Sequence, residues 1–178
     1  MSSAQAIKTT ENLMRKIKIG KVVLNVGVGR SGDVLERAKK ILKDLSNQKP
    51  CPRKAKRTVR DFGIHRGESI ATMVTLRGDN ALKTLKRLLV ARGMRLPISS
   101  FDERGNCSFG IKEHIEIPGM KYDPEIGIFG LNVSVLLERS GYRVSRRRRA
   151  RSIIGKSHVV NRDEAIKFFK EVMGVEVY

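Results

Sequence analysis

The chain has 178 residues and carries 37 Lys and Arg against 18 Asp and Glu, a formal net charge of +19. That length supports a core burying roughly 70% of the unfolded surface, and that charge makes a polyanion the natural partner. No apolar run approaches the ~18 residues of a membrane span, no secretory signal is read at the N-terminus, and two cysteines, Cys51 and Cys107, make neither a disulfide framework nor a four-ligand zinc site.

Residues 1–16 are polar and mixed, and a short helix is expected there. A strand follows over 17–26, with Val22, Leu24 and Val26 on one face and Lys21 and Asn25 on the other. After the turn GVGRSGD, a helix is predicted from Asp33 to Ser46 on the stripe Val34, Leu35, Ala38, Ile41, Leu42, Leu45. Asp33 in its first turn suits the helix dipole. Residues 47–57 are basic, and Pro50 and Pro52 argue against a central strand.

From Thr58 to Arg77 two strands are expected around the turn at His65-Arg66-Gly67. The second puts Ile70, Val74 and Leu76 on one face and Met73, Thr75 and Arg77 on the other. A helix over 80–92 follows, with Gly93 as its cap. Residues 94–106 read as a loop, and 108–117 as a strand with His114 on its polar face. Next come another loop, a strand over 129–138, an Arg-rich arm over 139–161, and a closing helix over 163–173 that buries Ile166, Phe169 and Val172. Strands with one apolar and one polar face imply an antiparallel sheet covered on one side. The expectation is an α+β fold in one domain over 1–178, with helices on one face of the sheet and long basic loops.

Gly27-Val28-Gly29-Arg30-Ser31-Gly32 matches the G-x-G-x-x-G of dinucleotide-binding folds, after a strand and before a helix. That fingerprint requires a second parallel strand and an acidic residue about 20 positions on. Here the following segment is NQKPCPRKAKR, with two prolines and no carboxylate. Beside the dinucleotide reading, which this segment disfavours, stand two others: glycines that permit a tight turn, and a turn whose exposed N–H groups approach an RNA phosphate.

The positive charge is concentrated. Between Asp44 and Asp61 lie six cations and no acid; between Glu138 and Asp163 lie nine and no acid. Such blocks repel themselves, so a polyanion is expected on both. No zinc finger, basic zipper or recognition-helix pattern points to DNA, and aromatic residues are too few for a single-strand stacking platform. Shape and backbone recognition of folded RNA remains, through polar strand residues and basic loops. The arm lacks the apolar face that a membrane-surface helix needs. Asp61 with His65, and Glu113 with His114 and Glu116, read as ordinary strand residues, so no enzyme, cofactor or metal is expected.

Five segments carry a resemblance: KVVLNVGVGRSGD (21–33), QKPCPRKAKRTVRDFGIHRGE (48–68), VTLRGD (74–79), SFDERGNCSFGIKEHIEIPGMKYD (100–123) and GIFGLNVSV (127–135). In order and spacing, over roughly 17–175, they resemble the universal ribosomal protein family of the large subunit that binds 5S ribosomal RNA. The insertion GYRVSRRRRARSIIGKSHVVNRDEA (141–165) is similar to the archaeal and eukaryotic branch. The resemblance implies a cytoplasmic structural protein of the central protuberance. Its implied partners are 5S rRNA, 23S-type rRNA, neighbouring protuberance proteins, the peptidyl-site tRNA, and a small-subunit head protein across an intersubunit bridge, with no membrane. An RNA chaperone or regulator outside the ribosome is the alternative.

Carried over, the rRNA surface comprises Asn25, Gly27 and Gly29; Gln48, Lys49 and Pro50; Arg53, Lys54, Lys56 and Arg57; and Thr75 and Arg77. Gly63, Ile64, His65, Arg66 and Gly67 form the implied tRNA loop, and the bridge falls near the YDPEIGIFG loop. Arg143, Arg146, Arg147, Arg148, Arg149 and Arg151 form the basic arm, which is expected to order only with RNA. Cys51 and Cys107 depart from the family's motifs and receive no contact.

Overall fold

Eleven residues of alternating pattern make the central strand, β1 (Ile17–Gly27), whose Val22, Leu24 and Val26 are fully buried. The computed structural model describes residues 12–178, so most of the expected N-terminal helix lies outside the described residues; a 3₁₀ turn spans Leu13–Arg15. The remaining elements, in chain order, are α1 (Asp33–Ser46), β2 (Cys51–Lys54), β3 (Ser69–Leu76), α2 (Gly78–Ala91), β4 (Arg95–Leu96), β5 (Cys107–Ile111), β6 (Leu131–Arg139), α3 (Arg143–Arg146), α4 (Arg162–Met173) and β7 (Glu176–Val177).

Five strands form an antiparallel sheet in the order β2-β3-β1-β6-β5, and β4 pairs with β7 in a small parallel one. Because side chains alternate across a strand, one face of the large sheet packs α1, α2 and α4 into a single core. Leu24, Leu42, Leu85, Leu137 and Phe169 are all buried there. Phe169 meets Phe101 edge-to-face, with ring centroids 5.4 Å apart. Cys107 is in this core, and burial pushes its thiol up to about 12. A bulge between Ile19 and Lys21 sits at Gly20, where a Cβ would run into the Glu138 side chain on β6.

The α+β class with a one-sided antiparallel sheet holds, and several local expectations do not. Pro52 does exclude a central strand, but residues 51–54, read only as a basic segment, form an edge one: in β2 a missing donor costs no ladder bond. Residues 58–68 are not a strand. A 3₁₀ turn at Arg60–Phe62 and left-handed Gly63 fold them into a loop closed by Val59 and Ile64. β5 stops at Ile111 instead of running on to 117, and a 3₁₀ turn at His114–Glu116 carries His114 inward to 1% exposure. Residues 94–106 hold β4, whose partner β7 lies some eighty residues away, beyond the reach of local pattern. In α4 Ala165, Phe169 and Met173 are buried, Ile166 is half-buried, and Val172 is exposed.

Candidate nucleic-acid interface

No helix covers the second face of the large sheet. The register sets its residues in rows across the strands. One row runs Cys51, Met73, Asn25, Asn132, Gly110, crossing all five strands. The next runs Thr75, Val23, Ser134, Ser108, and a third Arg53, Ala71, Gly27. Apart from the apolar Met73 and Val23, these side chains are small, polar or cationic, and none is acidic. The rows leave hydroxyls, amides and glycine backbone open to a ligand as wide as the sheet. Ser108 and Ser134 share a hydrogen bond of 3.2 Å, and Arg53 reaches the Met73 sulfur. A depression of about 620 Å³ lies at one end, between Lys21, Ser134 and the 99–102 loop.

The structure brings Asn25, Gly27, Thr75 and Arg53 together on this face, with Lys54 opposite Ser69 at its edge. Arg77 continues the β3 alternation as the exposed N-cap of α2. Gln48, Lys49 and Pro50 lead from left-handed Asn47 at the end of α1 into β2. Gly29 stands somewhat apart: its N–H and that of Val28 both donate to the Ile70 carbonyl, at 2.9 and 3.0 Å. Gly29 makes the turn, at φ 79°, rather than offering its own donor. The N–H groups at the start of α1 are the turn's candidates for a phosphate. The dinucleotide reading fails on topology, since both neighbours of β1 are antiparallel to it and α1 leads to an edge strand.

Sequence reasoning passed over Asn132, Ser134, Ser108 and Cys51. The alternation of β6 contained the first two, because every second residue between buried Leu131 and Leu137 must face the open side.

Beyond β2 the chain enters the loop carrying Lys56, Arg57 and Gly63–Gly67. Its base is closed twice: Ala55 N–H donates to Glu68 O at 2.7 Å, and Gly67 N–H to Ala55 O at 2.9 Å. The Glu68 carboxylate accepts from the Ser31 hydroxyl at 2.7 Å and from the His65 N–H at 3.2 Å. The Ser31 hydroxyl, then the His65 amide, hold that carboxyl below its usual range. Glu68 thus ties the loop to the glycine turn. In the same loop Phe62, at the end of the 3₁₀ turn, is 77% exposed, and His65 and Arg66 are exposed as well.

The arm leaves from the other end of the sheet, because Arg139 pairs with Ile17 at the start of β1 whereas Gly27 pairs with Ala71 at its end. Its base is built rather than loose, unlike the expectation for the whole arm. Buried Arg139 donates to the carbonyls of Arg15, His158 and Val159 and to Glu164 Oε1 at 2.7 Å. Burial alone would raise the Glu164 carboxyl; the Asn161 N–H and Arg139 outweigh it and hold it low. Tyr142 Oη accepts from Val160 N–H at 3.0 Å. Arg146 pairs with Glu138, which offsets part of its charge. Arg143, Arg147, Arg148, Arg149 and Arg151 are exposed.

No helix among the described residues is long and apolar enough to cross a membrane. Residues 12–65 match the family model described as Ribosomal protein L5, and residues 69–172 match the model for the C-terminus of the same ribosomal family. The chain is 50% identical over 170 residues to large ribosomal subunit protein uL5 of Nitrosopumilus maritimus, covering 96% of this chain and 98% of that one. It is 52% identical over 164 residues to the protein of the same name from Pyrobaculum aerophilum, covering 92% of each. With that of Sulfolobus acidocaldarius it shares 45% identity over 177 residues, covering 99% of this chain and 98% of the relative.

Proposed function

The chain belongs to the ribosomal L5 family, in its archaeal-type form, and on that premise we propose that it is a structural constituent of the large ribosomal subunit that binds 5S rRNA. It is not an enzyme. The observation that carries the proposal is the open sheet face with its acid-free rows, bordered by the six cations of 45–60. A face of this kind reads backbone shape: hydroxyls and amides take 2′-hydroxyls and phosphate oxygens, while the bordering lysines and arginines neutralise charge. Asn25, Gly27, Thr75, Arg53 and Lys54 are assigned to 5S rRNA, with Gln48, Lys49, Pro50, Lys56, Arg57 and Arg77 around them. Gly29 shapes the turn beside them.

The loop Gly63–Gly67 is assigned to the peptidyl-site tRNA. It lies beyond β2, is braced by Glu68, and carries Arg66 at its tip. The loop around Tyr122–Gly130 is assigned to the bridge with the small-subunit head. The arm cations are assigned to 23S-type rRNA, and the protein works in the cytoplasm within the central protuberance.

Sedimentation of a cell extract through a sucrose gradient tests this. The protein is expected with the large subunit and with 5S rRNA in the same fractions. Recovery at the top of the gradient, free of subunits, would instead support the RNA chaperone reading.

A further inference from the structure

The arm and the turn at Glu103–Asn106 enclose a cleft of about 1110 Å³ that the open sheet face does not include. Tyr142 stands in its lining, fixed through its hydroxyl to Val160 N–H and the His158 carbonyl. Ile153 and Ile154 line it from the arm, and Ile153 is 95% exposed, an apolar side chain in water just beyond the run of arginines that ends at Arg151. The arm reaches this position by a tight reversal: Ala150 is left-handed at φ 49°, and Ser152 N–H donates to the Val144 carbonyl at 3.2 Å. Arg104, Arg151 and Lys156 are also in the lining, and none of them takes part in an ion pair among the described residues. Glu103 is the one acidic residue of the lining.

We propose that this cleft holds an unpaired nucleotide of RNA, its base against Tyr142, Ile153 and Ile154 and its phosphates on Arg104, Arg151 and Lys156. The inference rests on the RNA-binding reading above and adds to it a second site with a different preference. A paired A-form helix offers side chains only its backbone and shallow groove, whereas an unpaired base can turn out and lay its face on a side-chain wall or a guanidinium plane. The cleft is slightly larger than the roughly 300–1,000 Å³ of small-ligand sites, which leaves room for one base and the phosphates flanking it. The cations of the cleft continue into Arg147–Arg149 without an intervening acid. That matches a ligand whose charge repeats along a backbone, rather than a protein segment ending in a few carboxylates.

The test uses the full chain and two labelled RNA hairpins of the same stem, one with a single unpaired adenosine, at one salt concentration. The wild type is expected to bind the bulged hairpin at least about fivefold more tightly, the lower end of what a stacked base contributes. Ile154→Ala and, separately, the surface change Arg151→Ala should each bring that preference below about twofold, and the second cannot be attributed to a folding defect. Equal affinity of the wild type for both hairpins overturns the proposal, as does a preference that survives both substitutions. Binding of a labelled octaglutamate peptide that Ile154→Ala abolishes, without any bulge preference, would assign the cleft to a protein and overturn it too. 5S rRNA is titrated in parallel: its failure to bind sinks the earlier reading, whereas intact 5S binding without bulge preference sinks only this one.

Discussion

Asn25 and Lys54 lie on the same open face but offer different chemistry. Asn25 is neutral and central, opposite Met73 and Asn132; Lys54 is a cation at the edge, opposite Ser69. A lysine on a phosphate releases a counterion and a neutral hydrogen bond does not. Lys54→Ala is therefore expected to weaken 5S rRNA binding and make its log–log salt slope shallower by roughly one. Asn25→Ala should weaken binding with the slope unchanged, and fluorescence titrations at four salt concentrations check both. His114 shows what one residue can hide. Its pattern reads as a surface position, yet its backbone N–H donates to the Phe129 carbonyl at 3.0 Å and its Nδ1 accepts from the Phe129 N–H at 3.3 Å. Burial holds the imidazole below the ordinary 6.5. The unfolded chain then binds the proton first, so stability is full above pH 6.5 and falls as the pH drops from there through the lower folded value. Urea unfolding between pH 7.5 and 5 should show that loss, at most about 1.4 kcal/mol per pH unit from this group. His114→Gln should flatten it, even if it lowers stability throughout.

At the scale of elements, long amphipathic segments were legible and short irregular ones were not. α1, β1 and β6 follow from periodicity, because each buries a stripe or alternate face, and α4 follows as a helix although its buried side is Ala165, Phe169 and Met173. β2 was hidden by Pro52, which only the edge position of that strand makes harmless. The 58–68 loop was hidden by its apolar residues: Val59 and Ile64 pair with each other instead of extending a sheet strand. Of the candidate site, the cations and Asn25 could be read from the chain. The full row from Cys51 to Gly110 could not, since it depends on the order of five strands. The arm base belongs here as well. Arg139 reads as one more cation of the block, but it is buried and joins three carbonyls to Glu164. Arg139→Ala leaves those acceptors without their donor and should cost about 2 kcal/mol by urea unfolding, a figure kept low because Glu164 is partly in water. Limited trypsin digestion should then cut within 139–161 well before the core. Equal protection of the arm in wild type and variant would contradict the anchoring role.

For the whole molecule, the +19 resolves into a sheet face and two cation blocks at its opposite ends. The ten residue steps of β1 separate those ends by about 33 Å. That exceeds a Debye length of about 8 Å at physiological salt, so the blocks attract RNA independently. The fold supplies what a disordered basic tail would lack: a one-sided core that holds the polar rows in register while the loop and the arm project from either end. The central claim is that this surface binds 5S rRNA through phosphates, and the salt dependence of that affinity tests it most directly. With about six phosphates neutralised, log K against log salt should fall with a slope of about −4 to −5. An affinity for 5S rRNA that does not change with salt would contradict the account.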